Sequence, residues 1–126
     1  MTTSDLTSLA ELLRERNAID ERISLIIQRP MTSGHAGEWI ASRIFDIRLM
    51  PSAANPAYDG QFKSGPLIDE TVNVEWYLKQ DGLLDMSVSP ALDYYLVMTG
   101  PRASLEATGT RPWRISTVYL LSLIHI

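Results

Sequence analysis

The 126-residue chain has no cysteine. It can therefore form neither a disulfide framework nor a thiolate zinc site, and that absence fits a reducing cytoplasm. Long apolar runs are missing too. No stretch approaches the roughly 20 residues that cross a bilayer, and the polar Met1–Asp5 lacks the basic flank of a secretion signal, so a cytoplasmic protein without a membrane segment is expected. Basic residues are scarce: 11 Lys and Arg against 15 Asp and Glu give a formal net charge of −4. Phosphate neutralisation supplies most of a nucleic-acid binder's affinity, so this balance argues against DNA binding as a main role. An enzyme with an acidic metal site can still be acidic overall. Walker-type loops, G-x-G-x-x-G, G-x-S-x-G and zinc-spaced His or Cys sets are all absent, as are repeats and linkers.

What remains is ordinary for one soluble domain: 45% hydrophobic and 21% charged residues, enough to bury a core unaided. Leu6, Leu9, Leu12, Leu13, Ile19, Ile23, Ile26 and Ile27 recur every three or four residues, which predicts an amphipathic helix. Ser4 offers an N-cap, Asp5 suits the first turn, and Pro30 stops the helix. The charges from Arg14 to Arg22 form its solvated face. A second helix is expected from a Thr32–Ser33 cap to Ile44, with Ala36, Ile40 and Ile44 on one side. Gly34 and Gly37 in its first turns imply close approach of another backbone.

From Asp46 the period changes from 3.6 to 2. Strands are expected at Asp46–Leu49, around Tyr58–Phe62, at Thr71–Leu78, at Tyr94–Thr99 and from Trp113 to Leu120. Pro51–Pro56, Gly82–Leu92 and Ala103–Thr110 read as irregular connections. In the strand over Thr71–Leu78, Val72, Val74 and Trp76 face one side, and Asn73, Glu75 and Tyr77 the other. Trp39, Trp76 and Trp113 read as packing residues rather than base-stacking platforms, because no basic stripe accompanies them. Two helices followed by about five strands make an α+β arrangement.

Phosphodiester hydrolysis with Mg²⁺ needs hard oxygen ligands and usually a cation that helps activate water. Asp59 precedes the strand carrying Asn73 and Glu75, which share one face because they are two residues apart. Glu38 lies on the helix upstream. Each has a plain reading as well: Glu38 as a surface charge near a helix start, Asp59-Gly60 as a turn, and Asn73 and Glu75 as a solvated strand face. His35 reads as a capping or surface residue, with a base or phosphate contact as the alternative.

Gly37-Glu38 on a helix, Tyr58-Asp59, and then Val72-Asn73-Val74-Glu75 resemble the PD-(D/E)xK restriction-endonuclease-like superfamily. More narrowly, they are similar to bacterial domains with a G-E-W/L-I/L-A helix, a Y-D strand and a later Asp-Tyr-Tyr-Leu-Val-type strand. The resemblance covers about residues 32 to 100. It implies two helices packed on a mixed sheet, Mg²⁺ as cofactor, DNA as substrate and a homodimer in which two active sites serve two strands. Asp59 would be the metal-binding aspartate, Asn73 would take the position of the second acidic residue, and Glu38 would be the helix carboxylate.

Glu75 falls where the family places its lysine. A carboxylate cannot supply that charge, and beside Asp59 it would favour a metal or raise one carboxyl pKa. Two alternatives stay open: Glu75 as metal ligand with Lys79 as the cation, or Lys63 reaching in from the neighbouring strand. The domain is accordingly read as a Mg²⁺-dependent nuclease, or as a binding domain that kept the fold and lost the reaction. An unrelated α+β domain is the third reading.

Leu121-Ser122-Leu123-Ile124-His125-Ile126 resembles, residue for residue, the translation of a sequencing-library adapter. The domain is therefore expected over residues 1–120, with 121–126 as an adapter-derived tail and a natural chain that continues differently; the alternative is that Leu120 to Ile126 extends an apolar C-terminal strand. His125 is accordingly not recruited as a base or ligand.

Overall fold

The computed structural model describes residues 3–51, 57–78, 89–101 and 112–123. Helix α1 runs Thr3–Ile27 and α2 Ser33–Ile44. Five strands follow: β1 (Ile47–Leu49), β2 (Gly60–Phe62), β3 (Thr71–Tyr77), β4 (Tyr94–Thr99) and β5 (Thr117–Ser122). The fold is α+β, as expected: two helices packed against one mixed sheet of order β1-β2-β3-β4-β5. β1, β2 and β3 form an antiparallel meander, β4 runs parallel to β3, and β5 returns antiparallel. Among the described residues, no helix is long and apolar enough to cross a membrane.

Helix α1 starts one residue before the expected Ser4 cap, so Ser4 lies inside the first turn, where Thr7 Oγ1 donates to Thr3 O at 3.0 Å. It ends where Gln28 adopts a left-handed φ of 59°, with its N–H on Ser24 O at 2.8 Å, an αL termination made without glycine. Helix α2 is capped as expected: Thr32 Oγ1 accepts from His35 N at 3.0 Å, and His35 Nδ1 lies 2.8 Å from Pro30 O.

The two glycines of α2 behave differently. A Cβ on Gly37 would meet Trp76 Cβ at 2.9 Å, so this glycine lets the helix settle onto β3. At Gly34 nothing lies closer than 3.8 Å, and no backbone approaches it. Ile44, on the same side as Ala36 and Ile40, is 65% exposed. A step of four residues advances about 40° past a full helical turn, so a stripe that begins at Ala36 has rotated away from the sheet by Ile44. The row that stays buried is Ala36, Gly37 and Ala41.

The core between α2 and the sheet holds Val72, Val74, Trp76, Leu96 and Met98 with Ile47, Phe62 and Ile27. Tyr95, Val97 and Leu92 form a second cluster with Tyr58, Tyr77, Leu121 and Leu123. Thr71 and Asp93 lock the first residues of the parallel pair. Asp93 Oδ2 accepts from Thr71 N at 2.9 Å, and Asp93 N donates to Thr71 Oγ1 at 3.0 Å. The Thr71 N–H, and after it the side-chain bonds from Glu70 and the Thr71 hydroxyl, hold the Asp93 carboxyl below its usual range.

β5 begins at Thr117, four residues after the expected Trp113, and runs on to Ser122. The Trp113 ring stands edge-on to Trp76 at 5.5 Å, and pairing with β4 is preceded by Ser116 N on Thr99 O at 2.7 Å. Leu121 and Ser122, the first two residues of the expected tail, lie within this strand. His125 falls outside the described residues, as do Lys79, most of the loop 51–56 and the stretch 103–110.

Candidate functional site

Three elements bring charge to one place. The turn after α1 presents Arg29, the second helical turn of α2 presents Glu38, and the entry to β2 presents Asp59. Arg29 Nη1 lies 3.3 Å from Glu38 Oε1, with both side chains mostly covered, and Arg29 Nη2 donates to Met50 O at 3.2 Å. The guanidinium thus ties the end of α1 to α2 and to the residue after β1.

Asp59 sits where β2 and β3 part. Their ladder pairs Gly60 with Val72 and Gln61 with Thr71, while β3 continues to Tyr77. Asp59 Oδ2 accepts from Val74 N at 2.8 Å, and Asp59 N donates to Asn73 Oδ1 at 2.9 Å and Val72 O at 3.1 Å. A strand's N–H points along the plane of its sheet, so a carboxylate bonded to Val74 N lies in that plane, in the gap the departing strand leaves.

Burial pushes the Asp59 carboxyl up, against the lowering effects of the Val74 N–H and of Arg29. The Glu38 carboxyl is also raised, first by burial and then by the charge of Asp59, while Arg29 and His35 oppose the shift. The charge of Asp59 thus acts on Glu38, and that of Arg29 acts on both carboxylates. Two acids and one fixed cation leave one negative charge when both acids are ionised.

Asn73 belongs to this place through its side-chain bond to Asp59 N. Glu75 lies further along β3, level with Val97 of β4. Val74 and Trp76 are buried on the side of α2, so alternation puts Glu75 on the opposite face from the helix that carries Glu38. Lys63 pairs with Asp46 at 3.2 Å, beyond the other end of β2 from Asp59. It does not reach in beside the carboxylates. His35 makes its cap and bonds Pro30, the structural role expected of it.

Sequence reasoning passed over Arg29. It stood beside Pro30 as the end of a helix, and nothing in the spacing of charges singled it out. The one usable signal was its position just before the helix that carries Glu38.

The donor set suits Mg²⁺. That ion favours carboxylate oxygens, keeps several waters and is usually held by one or two carboxylates plus substrate phosphate. Among the described residues no group of three or more His, Asp or Glu side chains converges, and Mg²⁺ does not require one. The bonds above occupy Oε1 of Glu38 and Oδ2 of Asp59, and a carboxylate has a second oxygen. The chain matches no protein-family model and no curated protein.

Proposed function

We propose that the chain is a restriction-endonuclease-like domain that hydrolyses DNA phosphodiesters with Mg²⁺, using Asp59 and Glu38 as metal ligands. The observation that carries this reading is the half-buried Arg29–Glu38 pair at 3.3 Å, whose glutamate carboxyl is raised by burial and then by the charge of Asp59. The antiparallel β1-β2-β3 meander, the parallel β4 and the Glu38 helix on the sheet also agree with the resemblance.

When bound, Mg²⁺ would polarise the phosphate and lower the pKa of a coordinated water. The chain's own part is positioning and charge. Val74 N–H and the Asp59 N–H to Asn73 fix the aspartate at the edge of β3. Arg29 provides a fixed positive charge, held by Glu38 and Met50 O. Arginine stays protonated at any working pH, so it can balance negative charge on a phosphate but is no proton acceptor. Cytoplasmic DNA is the proposed substrate, and a homodimer would present two such sites to two strands.

A second reading rests on Glu75. With a carboxylate on β3 in place of a cation and Arg29 already paired to Glu38, the domain would bind a partner without cutting.

Incubating the purified chain with plasmid DNA and Mg²⁺ or Mn²⁺ separates the two. The nuclease reading expects cleavage that Asp59→Asn abolishes, a variant whose amide oxygen can still accept from Val74 N. Cleavage that survives in Asp59→Asn overturns the site. Glu75→Lys then marks the binding reading: activity gained by this change identifies a lapsed enzyme, and continued silence favours a scaffold.

A further inference from the structure

Helix α1 is 25 residues long, and every residue from Thr3 to Ile19 is exposed. Among the described residues, the core takes in the helix at its far end, through Ile23 and Ile27. The exposed part is not polar. Leu6, Leu9, Leu12, Leu13, Ile19 and Ile26 stand between 42% and 63% open to solvent. Leu9, Leu12, Arg16, Ile19, Ile23 and Ile26 follow a spacing of three and four residues without a break, the seam of a two-helix coiled coil.

Beside the C-terminal half of that seam lies an apolar groove of about 510 Å³. Ile19, Ile23, Trp39, Ile40, Trp76 and Trp113 line it. One molecule therefore carries both an exposed leucine-rich ridge and an apolar groove, at opposite ends of the same helix. A two-fold axis through the middle of α1 would place each on the other.

The charges beside the seam choose the occupant and its direction. Glu15 precedes Arg16 and Arg22 precedes Ile23, so both lie on the same flank of the seam. Asp20 follows Ile19 and lies on the other flank. With two copies parallel, Glu15 of one meets Asp20 of the other, and Arg16 faces Arg16; both contacts repel. With two copies antiparallel, Leu9 stands opposite Ile26, Leu12 opposite Ile23 and Arg16 opposite Ile19. Glu15 then meets Arg22, twice over by symmetry. Arg16 can lay its aliphatic stem along the seam and keep its head by Asp20, one turn on.

We propose that two copies of this chain pair through α1 as an antiparallel homodimer, each laying Leu9, Leu12 and Leu13 over the other's tryptophan-lined groove. The proposed function also invokes a homodimer; this interface stands on the apolar face and charges of α1, so its failure is read from the mass of the chain and that of the metal site from Asp59→Asn.

Sedimentation equilibrium of the full chain tests it. The expected mass is about twice 14.1 kDa, falling to the monomer for Leu9→Glu/Leu12→Glu with the circular dichroism of the sheet unchanged. Both leucines are open to solvent in the single chain, so the variant keeps its fold. Glu15→Arg alone and Arg22→Glu alone should each weaken association, because each sets like charges opposite one another. Mixed together they should form a heterodimer, with both contacts attractive. A monomeric wild-type chain overturns the proposal and leaves the face to another protein or another segment. Association strengthened by Glu15→Arg overturns the antiparallel direction, since that change would relieve the parallel clash with Asp20.

Discussion

Arg29 reaches Glu38 at 3.3 Å with one guanidinium nitrogen and the carbonyl of Met50 at 3.2 Å with the other. A residue from the turn after the first helix thereby joins the second helix to the end of β1, where Glu38 feels the charge of a second half-buried acid, Asp59. Its charge offsets the repulsion between Glu38 and Asp59.

Replacing Arg29 by alanine leaves Glu38 beside Asp59 without that cation and Met50 O without its donor. Losing a partly buried, charged hydrogen bond costs about 1–3 kcal/mol, to be read as a lower denaturant midpoint with an unchanged slope. Arg29→Lys should recover only part of the loss, because an ammonium is not a planar fork that spans both acceptors.

Stability should also depend on pH through Glu38. Burial and Asp59 raise its carboxyl above the unfolded value, so between those two values the folded state binds more protons than the unfolded chain. Its contribution is full below the ordinary carboxylate range and is lost as pH rises through the folded pKa. Asp46, lowered first by Ser64 and then by Lys63, acts in the opposite sense. The comparison that isolates Glu38 is Glu38→Gln. As pH rises toward neutrality, thermal unfolding should show the wild type losing ground relative to the variant. A constant difference between the two across that range would contradict the assignment.

Gly37→Ala tests how α2 meets the sheet. The added methyl would lie 2.9 Å from Trp76 Cβ and 3.3 Å from Met98 Cε. The first of these is fixed to the strand and cannot swing away. Overpacking of this kind costs about 1–3 kcal/mol, outweighing the better helix propensity of alanine, about 1 kcal/mol. Gly34→Ala, with open space around it, should be neutral or stabilising by thermal denaturation.

The order of elements was legible because periodicity is local. Leu6 to Ile27 repeats at helical spacing, and Val72, Val74 and Trp76 alternate, so type and face followed from the residues. Boundaries depended on tertiary contacts. Trp113 looked like a strand start, yet its ring packs on Trp76 and the strand waits for Thr117. Ile44 shared a side with Ala36 in the sequence, but its 65% exposure depended on a sheet edge that only folding defines. At the site, Glu38 and Asp59 were singled out in sequence and are electrostatic neighbours in the fold. Arg29 was invisible because its role arises where three segments distant in the chain meet. The face of Glu75 was readable as opposite to Val74, but its separation from Glu38 depended on which face α2 would cover.

The central claim, a divalent-cation site made by Glu38 and Asp59, is tested most directly by titrating the protein into Mn²⁺, a hard stand-in for Mg²⁺. The free-ion electron paramagnetic resonance signal is followed for the wild type and for Asp59→Asn. Free Mn²⁺ should fall with the wild type, and the affinity should be weaker by roughly tenfold or more in the variant. Equal titrations for the two proteins, or no uptake by the wild type, would contradict it.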